Sequence, residues 1–154
     1  MVPERGRATD PARVSSVEVA KARKPAHAAD LQIVAWAPTR EASVAEAVKA
    51  LTDSMARVRM RSRASLFRRE VPGTDDDELL AGVLGTVIAH LRSNWQIPLS
   101  AEVSASPCGL SLVCAMVDLG AIVPVGPIPK SVSAGRAHCL RSGDRWCCTA
   151  RIDI

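Results

Sequence analysis

The sequence has very few aromatic residues: no tyrosine, one phenylalanine and three tryptophans. Proteins that bind single-stranded nucleic acid stack bases on exposed aromatic side chains, so a surface of that kind is not expected here. The chain also lacks a strong excess of charge. Its formal net charge is +4, and residues 1–26 alone contain six basic and three acidic side chains. The remaining +1 predicts at most a weak or indirect contact with nucleic acid.

Long apolar runs are also missing. The longest uncharged stretch, near residues 79–91, is shorter than the roughly 20 residues that a membrane span needs. No apolar leader opens the chain, so no signal peptide and no membrane contact are predicted. The five cysteines form no C-x-x-C pair. An odd number of cysteines without a secretory signal predicts reduced thiols in a cytoplasmic protein, with Cys114 and Cys148 serving as small core residues.

The length and the hydrophobic pattern predict one folded domain behind a tail. Residues 1–25 mix Pro, Arg, Ala, Ser and Glu without periodicity, which predicts a disordered basic N-terminal tail. From residue 26 to residue 154 the apolar residues become periodic. At 154 residues, the chain is long enough for one domain with a sizeable core.

Periodicity within residues 26–154 predicts an α+β fold, with an antiparallel or mixed sheet packed against two amphipathic helices. The helices are predicted at residues 40–56, after Thr39, and from the acidic run 74–78 to about residue 91. Gly82 and Gly85 within the second helix indicate close packing against another element. Strands are predicted at residues 30–37, 63–71, 101–105, 110–117, 134–140 and 146–154, the 110–117 strand being apolar on nearly both faces and therefore covered on two sides.

The two ends of this domain carry acidic residues. Asp30 opens the first predicted strand, and Asp153 is followed only by Ile154 and the chain-terminal carboxylate. If these strands are neighbours, three carboxylates meet, and hard divalent cations such as Ca²⁺ and Mg²⁺ favour such oxygen ligands. No set of Cys and His with zinc spacing occurs, so the predicted cofactor is Ca²⁺ or Mg²⁺.

Several short motifs resemble those of the archease family. They are HAAD at residues 27–30, WAPT at 36–39, DELL at 77–80, Pro129-Lys130 and IDI at 152–154. The resemblance implies a small α+β protein that binds a divalent metal. It also implies a partner, the RNA-splicing ligase of tRNA maturation, whose guanylylation and repeated turnover archeases assist without being enzymes themselves.

The resemblance also assigns individual residues. It implies metal ligands at Asp30, Asp153 and Ile154, and a partner contact at Lys130. His27, three residues before Asp30, is interpreted as a neighbour that orients the ligands by hydrogen bonding or as a ligand itself.

The chain departs from the family pattern beside Lys130. Pro127-Ile128 replaces the usual His-Glu, and Ser133 stands where a second lysine of a V-K-A stretch would fall. One alternative is therefore a scaffold or binding module of the same fold that has lost ligase activation. Another alternative, a metal-dependent phosphoesterase, lacks an obvious nucleophile and a second carboxylate set.

Two further clusters of charge have competing interpretations. Arginines at positions 57, 59, 61 and 63 would form one basic stripe suited to phosphate if they lie on a strand, and would scatter if they lie on a helix. The acidic run at residues 75–78 could hold a second metal, but acidic residues are favoured at any helix N-terminus. For the acidic run, the prediction is that residues 75–78 form a helix N-terminus and bind no metal.

Overall fold

The computed structural model describes residues 30–58 and 63–154. This part of the chain forms two helices, eight strands and one short 3₁₀ turn at Leu119–Ala121. The helices are α1 (Arg40–Met55) and α2 (Asp76–Asn94). The strands are β1 (Asp30–Ala37), β2 (Ala56–Val58), β3 (Ser65–Pro72), β4 (Gln96–Ser106), β5 (Gly109–Asp118), β6 (Ile122–Pro124), β7 (Ser131–Ser142) and β8 (Arg145–Asp153). The predicted α+β class is confirmed.

Every strand pairing within the described residues is antiparallel. The first sheet has the order β1-β8-β7, the second has the order β3-β5-β4, and β2 pairs with β6 in a small ribbon. The order places the first and the last strands of the described chain side by side. The pairing of β1 with β8 places residue 30 opposite residue 153.

Both helices pack on the buried faces of the two larger sheets. Helix α1 contacts β1 and β4, and helix α2 contacts β7 most extensively. One core of buried side chains joins the helices to both sheets, and its largest fully buried members include Leu84, Leu112 and Ile152. Alternation of buried and partly exposed residues along β1 and β8 leaves the other face of the first sheet open to solvent.

The helix starts follow the predicted caps. The Thr39 hydroxyl accepts a hydrogen bond from the Ala42 amide at 3.1 Å, and the Asp75 carboxylate accepts one from the Glu78 amide at 2.8 Å. The Glu78 side chain in turn accepts a hydrogen bond from the Thr74 amide at 2.9 Å. These contacts satisfy amides that have no partner in the first helical turn.

The two glycines of α2 have different roles. A Cβ atom at Gly82 would lie 2.6 Å from a methyl carbon of Val71 on β3, so the predicted close packing is confirmed there. A Cβ atom at Gly85 would meet nothing within 4 Å. The prediction is therefore wrong for Gly85, which lies instead at an open surface between α2 and β7.

Two strand predictions need correction. Strand β4 begins at Gln96 rather than at residue 101, and its register shifts between Pro98 and Ser100. A proline is tolerated there because β4 lies at the edge of its sheet, where one side of the strand needs no amide donor. The outer side chains of β5, including Val113 and Ala115, are only half-buried. The expected cover on both faces is therefore wrong for β5.

All five cysteines lie in the described part of the chain and are free thiols. Cys114, Cys139 and Cys148 are buried, as the sequence predicts for Cys114 and Cys148. The Sγ atoms of Cys139 and Cys148 lie 3.4 Å apart, and the hydrogen bond from Cys148 lowers the pKa of Cys139 while that of Cys148 is raised. Burial raises the pKa of the Cys114 thiol to about 11.

Burial predicts which thiol reacts first. Cys108 is exposed, whereas Cys147 is half-buried and the other three cysteines are buried. The thiolate form reacts with disulfide reagents and must be accessible to them. We expect one fast-reacting thiol in the native protein, followed by slow labelling of the others. Cys108→Ser should remove the fast phase, and a fast phase that survives in this variant would contradict the burial pattern.

Neither helix of the described residues combines the length and the apolar character needed to cross a membrane. The predicted boundary between tail and domain, near residue 25, lies outside the described residues and stays a prediction.

Candidate metal centre

Asp30 and Asp153 lie opposite each other at one end of the first sheet, where the first residue of β1 pairs with the last residue of β8. Their neighbours Leu31 and Ile152 point into the core, so both aspartates lie on the other, solvent-facing side. Directly opposed residues have Cβ atoms about 4.5–5.5 Å apart, and like charges at such positions repel. The proximity expected from the sequence is therefore present.

Each carboxylate has partners from neighbouring strands. Asp30 Oδ2 lies 3.3 Å from a guanidinium nitrogen of Arg151, which precedes Asp153, the cross-strand neighbour of Asp30, by two positions. The Ser131 hydroxyl donates to Asp153 Oδ2 at 3.1 Å, and the Ser133 hydroxyl donates to Asp153 Oδ1 at 2.7 Å. The two aspartates are thus oriented by one cation and two hydroxyls.

The remaining predicted residues adjoin this pair. The Lys130 amide donates to the main-chain oxygen of Asp153 at 2.7 Å, which fixes the start of β7 beside the end of β8. The Lys130 side chain is exposed. The Ile154 side chain packs against the main core, directly after the end of β8. Lys130, Asp153 and Ile154 therefore belong to one surface.

The charge of this cluster is unbalanced. Asp30 and Asp153 carry two negative charges, and the family resemblance implies a third from a main-chain carboxylate of Ile154. Arg151, in contact with Asp30, and the exposed Lys130 on the same surface carry two positive charges, so the surplus is about one negative charge. The surface is partly exposed, since the Asp30 and Arg151 side chains are 28% and 36% exposed. Every donor atom is an oxygen, which is the ligand type that Ca²⁺ and Mg²⁺ prefer.

Side chains alone form no metal site of three or more ligands in the described part of the chain. No group of three or more His, Cys, Asp and Glu side chains within residues 30–58 and 63–154 has the arrangement of a metal site. The third ligand that the family resemblance implies, a main-chain carboxylate of Ile154, is not a side chain and stays a prediction. The acidic run at residues 75–78 caps α2, as the helix interpretation predicts.

Asp77 has a role that the sequence did not indicate. Its Oδ1 atom accepts a hydrogen bond from the Cys139 amide at 2.8 Å, and its Oδ2 atom lies 3.2 Å from Nδ1 of His138. The contacts tie the start of α2 to β7, the strand that carries Ser131 and Ser133. The Cys139 amide is the main reason why the pKa of Asp77 lies below its usual value.

The Asp77 tether predicts a pH-dependent contribution to stability. Asp77→Ala should lower the free energy of unfolding by about 1–2 kcal/mol at pH 7, because the Cys139 amide loses its acceptor. A carboxyl group whose pKa is lowered on folding stabilises the fold above its unfolded pKa, near 4. The difference between wild type and variant should therefore shrink as the pH falls through the lowered pKa. Urea denaturation at several pH values measures it.

Glu102→Ala is the matched control for the tether, because Glu102 is an exposed carboxylate on β4. It should change stability by less than about 0.5 kcal/mol at any pH. An Asp77→Ala penalty that stays constant between pH 7 and pH 3 would contradict the proposed contribution of the ionised carboxylate.

Some predicted residues cannot be placed. His27 lies outside the described residues, as do Arg59 and Arg61. Arg57 lies on β2, opposite Val123 of β6, and Arg63 precedes β3. The basic stripe as a whole therefore stays a prediction.

The fold and the site define a class: a small α+β protein of two helices and antiparallel sheets, with an oxygen-rich acidic cluster where its first and last described strands meet. The profile of the Archease protein family matches residues 23–154. The chain belongs to the archease family.

Relatives and solved structures agree with this assignment. Two proteins named "Probable protein archease", from Mycobacterium tuberculosis strains CDC 1551 and H37Rv, are each 30% identical over 128 residues, covering 83% of this chain and 72% of theirs. The crystal structure of an archease from Thermotoga maritima, described by its name as a possible chaperone, has a TM-score of 0.57 at 16% identity and covers 86% of this chain and 97% of its own. The solution structure of protein 1598 from Methanobacterium thermoautotrophicum has a TM-score of 0.56 at 14% identity, with 82% and 93% covered. These two structures show the shared fold.

Proposed function

We propose that this archease is a metal-binding, non-catalytic accessory protein that promotes the guanylylation and multiple turnover of an RNA-splicing ligase in the cytoplasm. The observation that carries the proposal is the placement of Asp30 opposite Asp153, next to the carboxylate of Ile154. The family resemblance implies metal ligands at these three positions. Their convergence on one surface supports that role.

The donor set fits a hard divalent cation. Asp30 and Asp153 would each supply a carboxylate oxygen, and the chain terminus would supply a third. Ca²⁺ accepts six to eight oxygens in loose geometry, whereas Mg²⁺ keeps several waters and stricter angles. A partly exposed site with few protein ligands leaves room for water in either case. The surplus of negative charge favours a cation over an anion at this position.

The chain's own residues would hold and orient the ligands. Ser131 and Ser133 of β7 donate hydrogen bonds to both oxygens of Asp153, which fixes the orientation of this carboxylate. Arg151 holds Asp30 through one oxygen. When bound, the cation would offset phosphate charge at the ligase's guanylylation site. Lys130, exposed beside Asp153, would contact the ligase or its nucleotide.

A protein partner agrees with the name of one structural neighbour, the Thermotoga maritima protein described as a possible chaperone. The low charge of residues 27–154 supports a partner that is a protein, with nucleic-acid contact indirect or weak.

A second candidate function is a scaffold or binding module of the same fold that no longer activates a ligase. One contact favours it. Ser133 occupies the position of the family's second lysine, and its hydroxyl is used in the hydrogen bond to Asp153. A neutral hydroxyl cannot reach out to a phosphate as a lysine does. In this alternative the cation site remains and the activating contact is lost.

One assay separates the two candidates. The RNA-splicing ligase of the same organism is incubated with GTP and Mg²⁺, with and without this protein, and the guanylylated fraction and the number of turnovers are measured. The proposal predicts an increase in both, which Asp153→Asn removes and Glu102→Gln leaves intact. No increase at any cation concentration would overturn ligase activation. Calorimetric cation binding would then leave the scaffold function.

A further inference from the structure

A concave surface lies next to the candidate metal centre. Between the last turns of α2 and the start of β7 the structure has a cavity of about 320 Å³. Its apolar floor is formed mainly by Ile88 and Ala89 of α2. Its polar rim consists of Arg92, Ser93, Lys130 and Ser131.

The lining of this cavity is positively charged. Arg92 and Lys130 approach it from opposite elements, and no Asp or Glu is among its lining residues. Neither cation forms a salt bridge with a carboxylate in the described part of the chain. The Lys130 main chain is anchored by the hydrogen bond to Asp153. The Lys130 side chain therefore extends from an anchored main chain, and the Arg92 side chain extends from α2.

We propose that this cavity binds a phosphate group, carried by a nucleotide or by an RNA end. A phosphomonoester has up to two negative charges and three acceptor oxygens. Arg92 and Lys130 supply the two opposite charges, and Ser93 supplies a hydroxyl donor. Arg binds phosphate through its planar fork of N–H groups, and Lys binds it as a point charge.

Ser131 belongs to both sites. It is one of the residues that line the cavity, and its hydroxyl donates to Asp153 Oδ2 at 3.1 Å. A phosphate in the cavity therefore lies beside the carboxylates of Asp30, Asp153 and the chain terminus, which repel it when no cation is present. A bound divalent cation removes this repulsion. The cation and the phosphate should then strengthen each other's binding by the same factor.

The charges of the neighbouring surface indicate at which end the anionic group of a ligand binds. A second cavity of about 510 Å³ adjoins the first at Gly85 and Val132, and Asp75, Asp77 and Glu78 line it. Three carboxylates disfavour a phosphate there. The anionic end of a ligand therefore binds at the Arg92 end of α2.

The test is a titration of the full-length ¹⁵N-labelled protein, followed by NMR, with inorganic phosphate, guanosine 5′-monophosphate and a short RNA ending in a 3′-phosphate. Unphosphorylated guanosine and the same RNA with a 3′-hydroxyl end are the controls, since both lack the phosphomonoester. Saturable shifts are expected at the amides of residues 85–93 and 130–132 with the phosphorylated ligands only. A comparison of the nucleotide and RNA arms identifies the source of the phosphate.

Arg92→Gln should weaken the site-localised binding about tenfold, the effect of losing one charge-assisted contact. Arg68→Gln, which removes an equally exposed cation from β3, should leave it unchanged. Shifts that are absent at this cavity, or that persist unchanged in Arg92→Gln, overturn the proposal. Repeating the titration with Mg²⁺ measures whether the cation strengthens phosphate binding. Only this coupling to the metal centre rests on the proposed function.

No ligase takes part in these titrations, so they are independent of ligase activation. Site-localised phosphate binding that Mg²⁺ does not strengthen would overturn the coupling between the two sites and keep the phosphate site. The guanylylation assay above tests the proposed function separately.

Discussion

Asp153→Asn is expected to weaken Ca²⁺ and Mg²⁺ binding roughly a hundredfold, or ~2.7 kcal/mol. The substitution removes one of the two opposed side-chain carboxylates at the end of β1 and β8, and each unit charge contributes several kcal/mol of attraction to a nearby dication at an effective dielectric constant of about 20. The asparagine is isosteric and can still bond Ser131 and Ser133. Calorimetric titration measures the change.

Two controls accompany this prediction. Glu102→Gln removes a carboxylate of another strand and should leave cation affinity unchanged. In the presence of a chelator, Asp153→Asn should be as stable as wild type within about 0.5–1 kcal/mol, because the variant loses a like-charge repulsion with Asp30. In wild type, a cation at a hundred times its Kd should stabilise the fold by about 2.7 kcal/mol. Equal cation affinity in both proteins would contradict the assignment of Asp153 as a ligand.

Ile152→Ala is expected to lower the free energy of unfolding by about 2–5 kcal/mol. Ile152 is fully buried in the main core and lies between Arg151 and Asp153 on β8. Truncation removes apolar contact area and leaves a cavity that the surrounding helices and sheet fill only partly. For a domain of this size the melting temperature should fall by roughly 2–4 °C for each kcal/mol.

Thr149→Ala is the matched control for Ile152, because Thr149 lies on the solvent-facing side of the same strand, opposite Val34 of β1. Thr149→Ala should lower the free energy of unfolding by less than about 1 kcal/mol. Equal destabilisation by the two substitutions would contradict the assignment of the faces of β8, and with it the outward direction of Asp153.

Much of the fold follows from residue patterns. The predicted strand at 30–37 and the helix at 40–56 match β1 and α1 to within one residue, because alternation and 3.6-residue periodicity are uninterrupted there. The predicted strands at 134–140 and 146–154 correspond to β7 and β8, and Gly143 in the turn between them has a φ of 66°. Strong local patterns and turn chemistry sufficed in these segments.

Strand β4 shows where local patterns fail. Pro98 and the register shift after it disguise the start of this strand, since a proline ordinarily argues against a strand interior. Only the pairing with β5, and the position of β4 at the sheet edge, make the proline acceptable. That information is tertiary and is absent from the local sequence.

The candidate site also combines features that the sequence predicts with contacts that only the tertiary structure shows. Asp30 and Asp153 are recognisable from their positions at the ends of the predicted domain and from the family motifs. The Asp153 contacts of Ser131 and Ser133, and the link between Asp77 and Cys139, depend on cross-strand register and on the packing of α2 against β7. The alternation of Ser131 and Ser133 around half-buried Val132 was the one available signal, since it places both serines on one face.

The most direct test of the metal centre is a crystal structure determined with Ca²⁺ at saturating concentration. We predict one ion at the end of β1 and β8, with oxygens of Asp30, Asp153 and the Ile154 carboxylate at about 2.3–2.6 Å. An ion held elsewhere, or ordered carboxylates at this position with no ion between them, would contradict the account.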